Sequence, residues 1–434
     1  MKLSFTKHTL ANGLDVILHE DRACPIVAVN LWYHVGSKNE RPGFTGFAHL
    51  FEHLMFEGSQ HYDKGYFQPL QGAGATLNGS TNADRTNYWE VVPSNALELA
   101  LWMESDRMGF LLPALTDAKF SNQRDVVMNE RRQNYENRPY GLASMALLAS
   151  LFPADHPYHW PTIGEIADLE AVKLEEVQAF FRRYYHPANA SIALAGDIDA
   201  DEALALVDQY FGSIEPGKRA DRVTASASLS SNTRVYIEDR VELPRLYLAW
   251  LTPAMFADGD ADLDLATDLL ANGKTSRLYK RLVFDERIAT DVSASQNSRE
   301  IAGFAQLTAT AAPGHTLAEL ETAIFEEIAR VAAEGPTDDE IERGRVQAEA
   351  QFVFRLQTVG GFGGKSDQLN AYNVFLGDPT YFDRDLERYH AVTKASLQQS
   401  VARFLDPNRR VTLSIVPNGR LDLAVPESTR AVVS

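Results

Sequence analysis

Apolar and polar positions alternate in several short runs, and each run predicts a strand. Leu14, Val16 and Leu18 alternate directly after Asn12-Gly13, which predicts a hairpin with the segment before it. Val27, Val29, Leu31, Tyr33 and Val35 predict a second strand over 26–35, ended by Gly36-Ser37. Helical spacing then takes over. A helix is expected over 46–57, with Thr45 as N-cap and Gly58 as stop. A second follows Ser94 and carries Leu97, Leu101, Met108 and Leu111; a third covers 116–136. A fourth, 174–185, ends at His186-Pro187 ahead of a strand over 191–195.

Residues 212–232 are rich in Ser, Ala and Gly and read as a linker. Beyond them the pattern restarts. Glu20-Asp21-Arg22 reappears as Glu238-Asp239-Arg240, each followed by a β-rich run. A helix ends at Gly58 in one half and at Gly273 in the other. Near the close of each half a helix runs into Pro187 or Pro407, followed by strands at 192–195 and 411–416. The offsets of 218, 215 and 220 nearly agree, which points to a duplicated domain. Hairpins and helices mix without regular βαβ alternation. The expected fold class is therefore α+β: two homologous α/β-sandwich domains, 1–211 and 233–434, joined by the linker 212–232.

Composition narrows the function classes. With 41 Lys+Arg against 59 Asp+Glu, the 434-residue chain has a net charge of -18. It lacks the basic footprint of a nucleic-acid binder, so no nucleic-acid partner is expected. No apolar run approaches the ~18 residues of a membrane span, so no membrane partner is expected either. Cys24 is the only cysteine, which rules out an internal disulfide and a multi-cysteine metal site. The start of the chain lacks an apolar signal core. A cytoplasmic chain is expected, or a periplasmic one if a leader has been trimmed.

The sharpest chemical feature is Gly46-Phe47-Ala48-His49-Leu50-Phe51-Glu52-His53-Leu54. On a helix, His49 and His53 share one face, one turn apart. Two imidazoles so placed can hold one zinc ion, and Glu52 beside them can act as a proton acceptor. The order is H-x-x-E-H, which random placement would give only about 0.02 times in such a chain. The helix around it is apolar nearly all round, so buried histidines and a carboxylate need partners, and a metal supplies them. A catalytic zinc needs a third protein ligand. Glu130 is a candidate, but spacing alone does not separate it from Asp125 or Glu136.

With these residues in view, the chain resembles the pitrilysin/insulinase/mitochondrial processing peptidase family of inverted zinc-motif metallopeptidases. The resemblance runs from Leu10 to about Gly419. It includes Val35-Gly36-Ser37, the His49 to His53 motif with Phe56 and Gly58, and Asn78-Gly79-Ser80-Thr81 with Asp84, Thr86 and Tyr88. It also includes Glu130, with 76 residues between it and His53, and His186-Pro187, Asn189 and Gly196-Asp197. The resemblance implies zinc held by His49, His53 and Glu130, Glu52 as catalytic base, and domain 1–211 as the catalytic one. It implies that a peptide substrate adds to the strand at Asn78, Gly79 and Ser80. It further implies a metalloendopeptidase whose paired chains enclose a chamber for peptides and unfolded segments.

Two departures from the family pattern stand out. Gln123 occupies a position seven residues before Glu130 where a glutamate is common. In the second half, the family's arginine–tyrosine pair falls on Val283 and Thr290. The expectation is a heterodimer in which a homologous second subunit supplies that pair, with a homodimer as the alternative. A non-catalytic structural or peptide-binding subunit is the rival function. Two phosphate-loop look-alikes fail. Val359 stands where the first glycine before Gly364-Lys365-Ser366 is required, and Asp268 does so before Gly273-Lys274-Thr275. A glycine-rich loop leading into a helix over 367–376 accounts for the former.

Overall fold

The protein, seen as a computed structural model, is described for residues 3–433. The first half supplies β1 (Thr6–Thr9), β2 (Asp15–Glu20), β3 (Ile26–Tyr33), β4 (Thr76–Thr81), β5 (Thr86–Pro93) and β6 (Ala190–Gly196). They form one sheet in the order β1-β2-β6-β3-β5-β4. The second half supplies β7 (Thr233–Asp239), β8 (Arg245–Thr252), β9 (Ala289–Asn297), β10 (Gly303–Ala311), β11 (Val411–Pro417) and β12 (Thr429–Arg430). Their order is β12-β7-β11-β8-β10-β9.

The two sheets share a plan. In each, one parallel pair (β2 with β6, β7 with β11) sits beside three antiparallel neighbours in succession. They differ at one edge: β1 pairs antiparallel with β2, whereas β12 pairs parallel with β7. The fold is α+β with two alike halves.

β1–β6 all precede 212–232, and β7–β12 all follow it, but the compact units depart from the contiguous domains 1–211 and 233–434. One unit takes the chain up to Glu130 with Pro161–Val223 and Gln351–Arg384. The other takes Arg131–Trp160, Thr224–Ala350 and the chain from Asp385. The reason is that a sheet has two faces to cover and local helices cover one. In the first unit, helix Leu97–Ala114 packs on β3 and β5, and helix Ala200–Phe211 packs on β2. The opposite face carries Asn30, Trp32 and Asn87, and helix Lys365–Leu376 lies on it. In the second unit, helix Ala143–Leu151 packs on β8 and β11. Its main core gathers Leu246, Leu248 and Trp250 of β8 with Leu263, Ala266, Ile324 and Val401 of three helices.

Three expected elements shift. The strand over 26–35 ends at Tyr33. The helix over 116–136 is α-helical only over Asp117–Arg131 and continues as a π-turn, Arg132–Glu136. The motif helix runs Phe47–Leu54, and its N-cap is Gly46 in the left-handed region (φ 87°), not Thr45. Thr45 instead donates its hydroxyl to Asp168 (2.7 Å). Among the described residues, no helix is long and apolar enough to cross a membrane.

Candidate metal centre

The motif helix is short and buried. Phe47, Ala48, Leu50, Phe51 and Leu54 are all inside, and Phe51 packs on Phe181 and Tyr185. Its N-terminus is held by Glu40, whose carboxylate accepts from the Gly46 and Ala48 amides (3.0 and 2.9 Å). An anion there satisfies open amides and complements the helix dipole. Packing on one side and this cap on the other fix the direction in which His49, Glu52 and His53 project.

His49 and His53 lie one turn apart with ring centroids 4.8 Å from each other. Glu130, from helix Asp117–Arg131, brings Oε2 to 3.7 Å from His49 Nε2 and 3.3 Å from His53 Nε2. Four-coordinate zinc with bonds of ~2.0–2.2 Å places its ligand atoms about 3.3–3.5 Å apart. Glu130 Oε2 is close to that spacing from both imidazoles, and all three donor atoms lie within 4.8 Å of one another before any ion is considered. Among the described residues, this is the only group of His, Cys, Asp and Glu ligands gathered so closely. Two imidazoles and a carboxylate form a donor set that leaves a tetrahedral ion one open position. Asp125 and Glu136 are not in the group.

Burial sets the protonation of the site unevenly. Burial, helped by the neighbouring His53, pushes His49 down to about 4, so its ring is neutral near pH 7. His49 Nδ1 is buried without a hydrogen-bond partner. Burial also lowers His53, but its hydrogen bond to Glu130 and the Glu52 charge outweigh that and leave it raised. Glu52 is raised by burial, against the opposing hydrogen bond from Thr81. It stays outside the donor group, in the next turn of the same helix.

Thr81, Arg85 and Glu40 join the site without a role assigned from sequence, and Gln123 has the hydrogen-bonding role to which its amide limits it. Thr81, the last residue of β4, reaches Glu52. Arg85, in the turn after it, donates Nη1 to the Ser80 carbonyl (2.9 Å) and to its hydroxyl (2.6 Å). Gln123 donates to Glu57 (2.6 Å) and also hydrogen-bonds His53. It orients the motif segment and cannot exchange protons. Glu40 had no local signal, because a capping carboxylate is sought three residues after the cap and not before it.

β4 carries Asn78, Gly79 and Ser80, and among the described residues it pairs with β5 alone, so its other side is an edge of the sheet. A Cβ on Gly79 would lie 3.0 Å from the Tyr88 ring and 3.2 Å from Phe56, so the strand lies flat on those rings. Val283 is half-buried against the second unit's core. Thr290, on β9, is exposed, and its hydroxyl lies 3.2 Å from Asp291 Oδ2.

Known sequences can now be set beside this geometry. The profile described as insulinase (peptidase family M16) matches residues 15–158, and that described as peptidase M16 inactive domain matches 171–347. The chain belongs to peptidase family M16. Among M16 relatives, the zinc protease PqqE of Helicobacter pylori is 27% identical over 362 residues, covering 82% of this chain and 81% of its own. An uncharacterized zinc protease of Mycobacterium leprae is 29% identical over 437 residues, covering 98% and 94%. The crystal structure of a protease from Helicobacter pylori superposes with a TM-score of 0.87 at 23% identity, over 96% of this chain and all of the other. That likeness establishes the M16 fold.

Proposed function

We propose that this chain is a zinc-dependent endopeptidase of family M16 that cleaves peptides or unfolded segments. One observation carries the reading: His49, His53 and Glu130 converge within 4.8 Å, with Glu52 in the same helix and an open sheet edge leading to it. In this reading His49, His53 and Glu130 hold zinc, and residues 1–211 form the catalytic domain. When bound, zinc acts as a Lewis acid that acidifies water and polarises the scissile carbonyl. Glu52 accepts the proton of the attacking water and returns it to the leaving amine nitrogen. An extended substrate pairs with Asn78, Gly79 and Ser80 on β4, and main-chain hydrogen bonds hold it beside Glu52.

Val283 has no donor for a developing oxyanion, and Thr290 has only a short hydroxyl, which points to Asp291, where the family has a tyrosine; loss of one such donor costs ~10²–10³ in rate. The reading therefore includes a homologous second subunit that supplies an arginine and a tyrosine, rather than a homodimer of this chain. The match of 171–347 to a domain described as inactive supports a second reading, a subunit that binds peptides without cutting them.

The test is metal content together with cleavage of a quenched peptide library. It is run on the chain alone and on the chain mixed with an M16 protein that carries the arginine–tyrosine pair. The proposal expects zinc near one per chain, cleavage strongly enhanced by mixing, zinc kept but cleavage lost in Glu52→Gln, and both lost in His49→Ala. Full activity alone would remove the need for a partner. Zinc without Glu52-dependent cleavage in either case would favour the binding subunit.

A further inference from the structure

Phe362 is 52% exposed, yet it is held in one place by its loop. Its backbone is fixed. It stands in the middle of Gly360-Gly361-Phe362-Gly363-Gly364, and Gly361 and Gly363 take the left-handed region at φ 81° and 77°. The Lys365 and Ser366 amides donate to the Thr358 and Val359 carbonyls (3.0 and 3.1 Å). A Cβ on Gly360 would lie 2.6 Å from Ala28 Cβ and 2.7 Å from Val91 Cγ2, so only glycine lets the loop lie on β3 and β5. Asp367 anchors the whole. Its Oδ1 accepts from Trp32 Nε1 (2.9 Å), Asn87 Nδ2 (3.1 Å) and Asn30 Nδ2 (3.3 Å), and its Oδ2 accepts from the Gly363 amide (2.8 Å). Held this way, Phe362 meets Trp89 edge to face, with centroids 5.5 Å apart.

Trp89 is the cross-strand partner of Asn78 on β4. Side chains alternate along strands, so Asn78 and Ser80 share the face of Trp89 and Asn87, while Gly79 and Thr81 share the face of Tyr88 and Thr86. Thr81 reaches Glu52 on that second face. A peptide added to β4 obeys the same alternation, so every second side chain points away from the reacting side and toward Phe362. The added strand lies about 10 Å from β5, two strand spacings. An aromatic side chain reaches farther back over that distance than an alanine does.

We propose that Phe362 and Trp89 form a subsite for an aromatic substrate side chain on the face of β4 opposite Glu52. This inference rests on the reading that a peptide pairs with β4. The test uses the zinc-loaded Glu52→Gln chain and fluorescein-labelled peptides with one phenylalanine walked through an alanine–serine background. Affinity is read by fluorescence anisotropy. Phenylalanine is expected to tighten binding about three- to tenfold at positions of one parity through contact with this pair, the size of an aromatic contact. Adding Phe362→Ala should erase that gain at those positions and spare the alternate ones. Phe362→Tyr should retain it. Equal losses at both parities, or no effect of Phe362→Ala, would overturn the subsite and leave peptide binding intact. Absence of peptide binding in every variant would overturn the subsite together with the reading beneath it.

Discussion

Arg107 shows what a single buried residue holds in place. Its guanidinium is 1% exposed, bonded to Glu104, 3.4 Å from Glu90, and stacked over Tyr66 and Tyr88 at 3.9 and 4.0 Å. Tyr88 donates its hydroxyl to the Phe51 carbonyl (3.2 Å), so the cluster supports the motif helix from beneath. Burial first, and the Glu104 charge second, push Glu90 well above the usual carboxylate range, which leaves Glu104 as the counterion of Arg107. Arg107→Met would strand that charge, at a cost of about 3–5 kcal/mol, whereas Arg107→Met with Glu104→Leu should recover most of it. Urea midpoints of the two variants decide the matter. A double variant no more stable than the single one would refute the stranded-charge argument.

At the scale of the element, helix Asp260–Ala271 of the second unit carries a pH dependence of known sign. Burial, followed by the charge of Asp260, raises Asp264 to about 7, against the opposing hydrogen bond from Tyr389 (2.7 Å). A carboxyl raised on folding binds more protons in the folded state than in the unfolded one. Stability is then greatest below the ordinary value of 3.8 and is lost as pH rises toward about 7. Asp264→Asn should therefore flatten the melting temperature between pH 4.5 and 7.5. Parallel curves for the two proteins would count against this assignment.

The same scale shows what the sequence could reveal. The hairpin at Asn12-Gly13, the motif helix and the repeated strand pattern were all legible, because each depends on neighbours in the chain. The placement of His49 and His53 one turn apart on a helix was legible for the same reason. Glu130 was set apart from Asp125 and Glu136 mostly by the family resemblance. The second face of β3 was not legible. Asn30 and Trp32 fall between the alternating apolar positions, yet both are buried, and Asp367 binds them from more than 330 residues away. The true cap of the motif helix was missed likewise, since Glu40 reaches it across a turn that no periodicity marks.

At the scale of the whole molecule, each compact unit includes a helix from the other half of the sequence. A fragment of residues 1–223 would lack helix Lys365–Leu376 and leave Asn30, Trp32 and Asn87 without their carboxylate. It should bind the hydrophobic dye ANS strongly and lose that signal when residues 224–434 are added. A well-folded, dye-silent fragment would contradict the exchange. The exchange also bears on ancestry. A forebear the length of one half, built to this plan, would have had one bare sheet face that only the corresponding helix of a twin could cover. Two such chains would each have needed a helix from the other, and a fusion of their genes would have made that loan permanent.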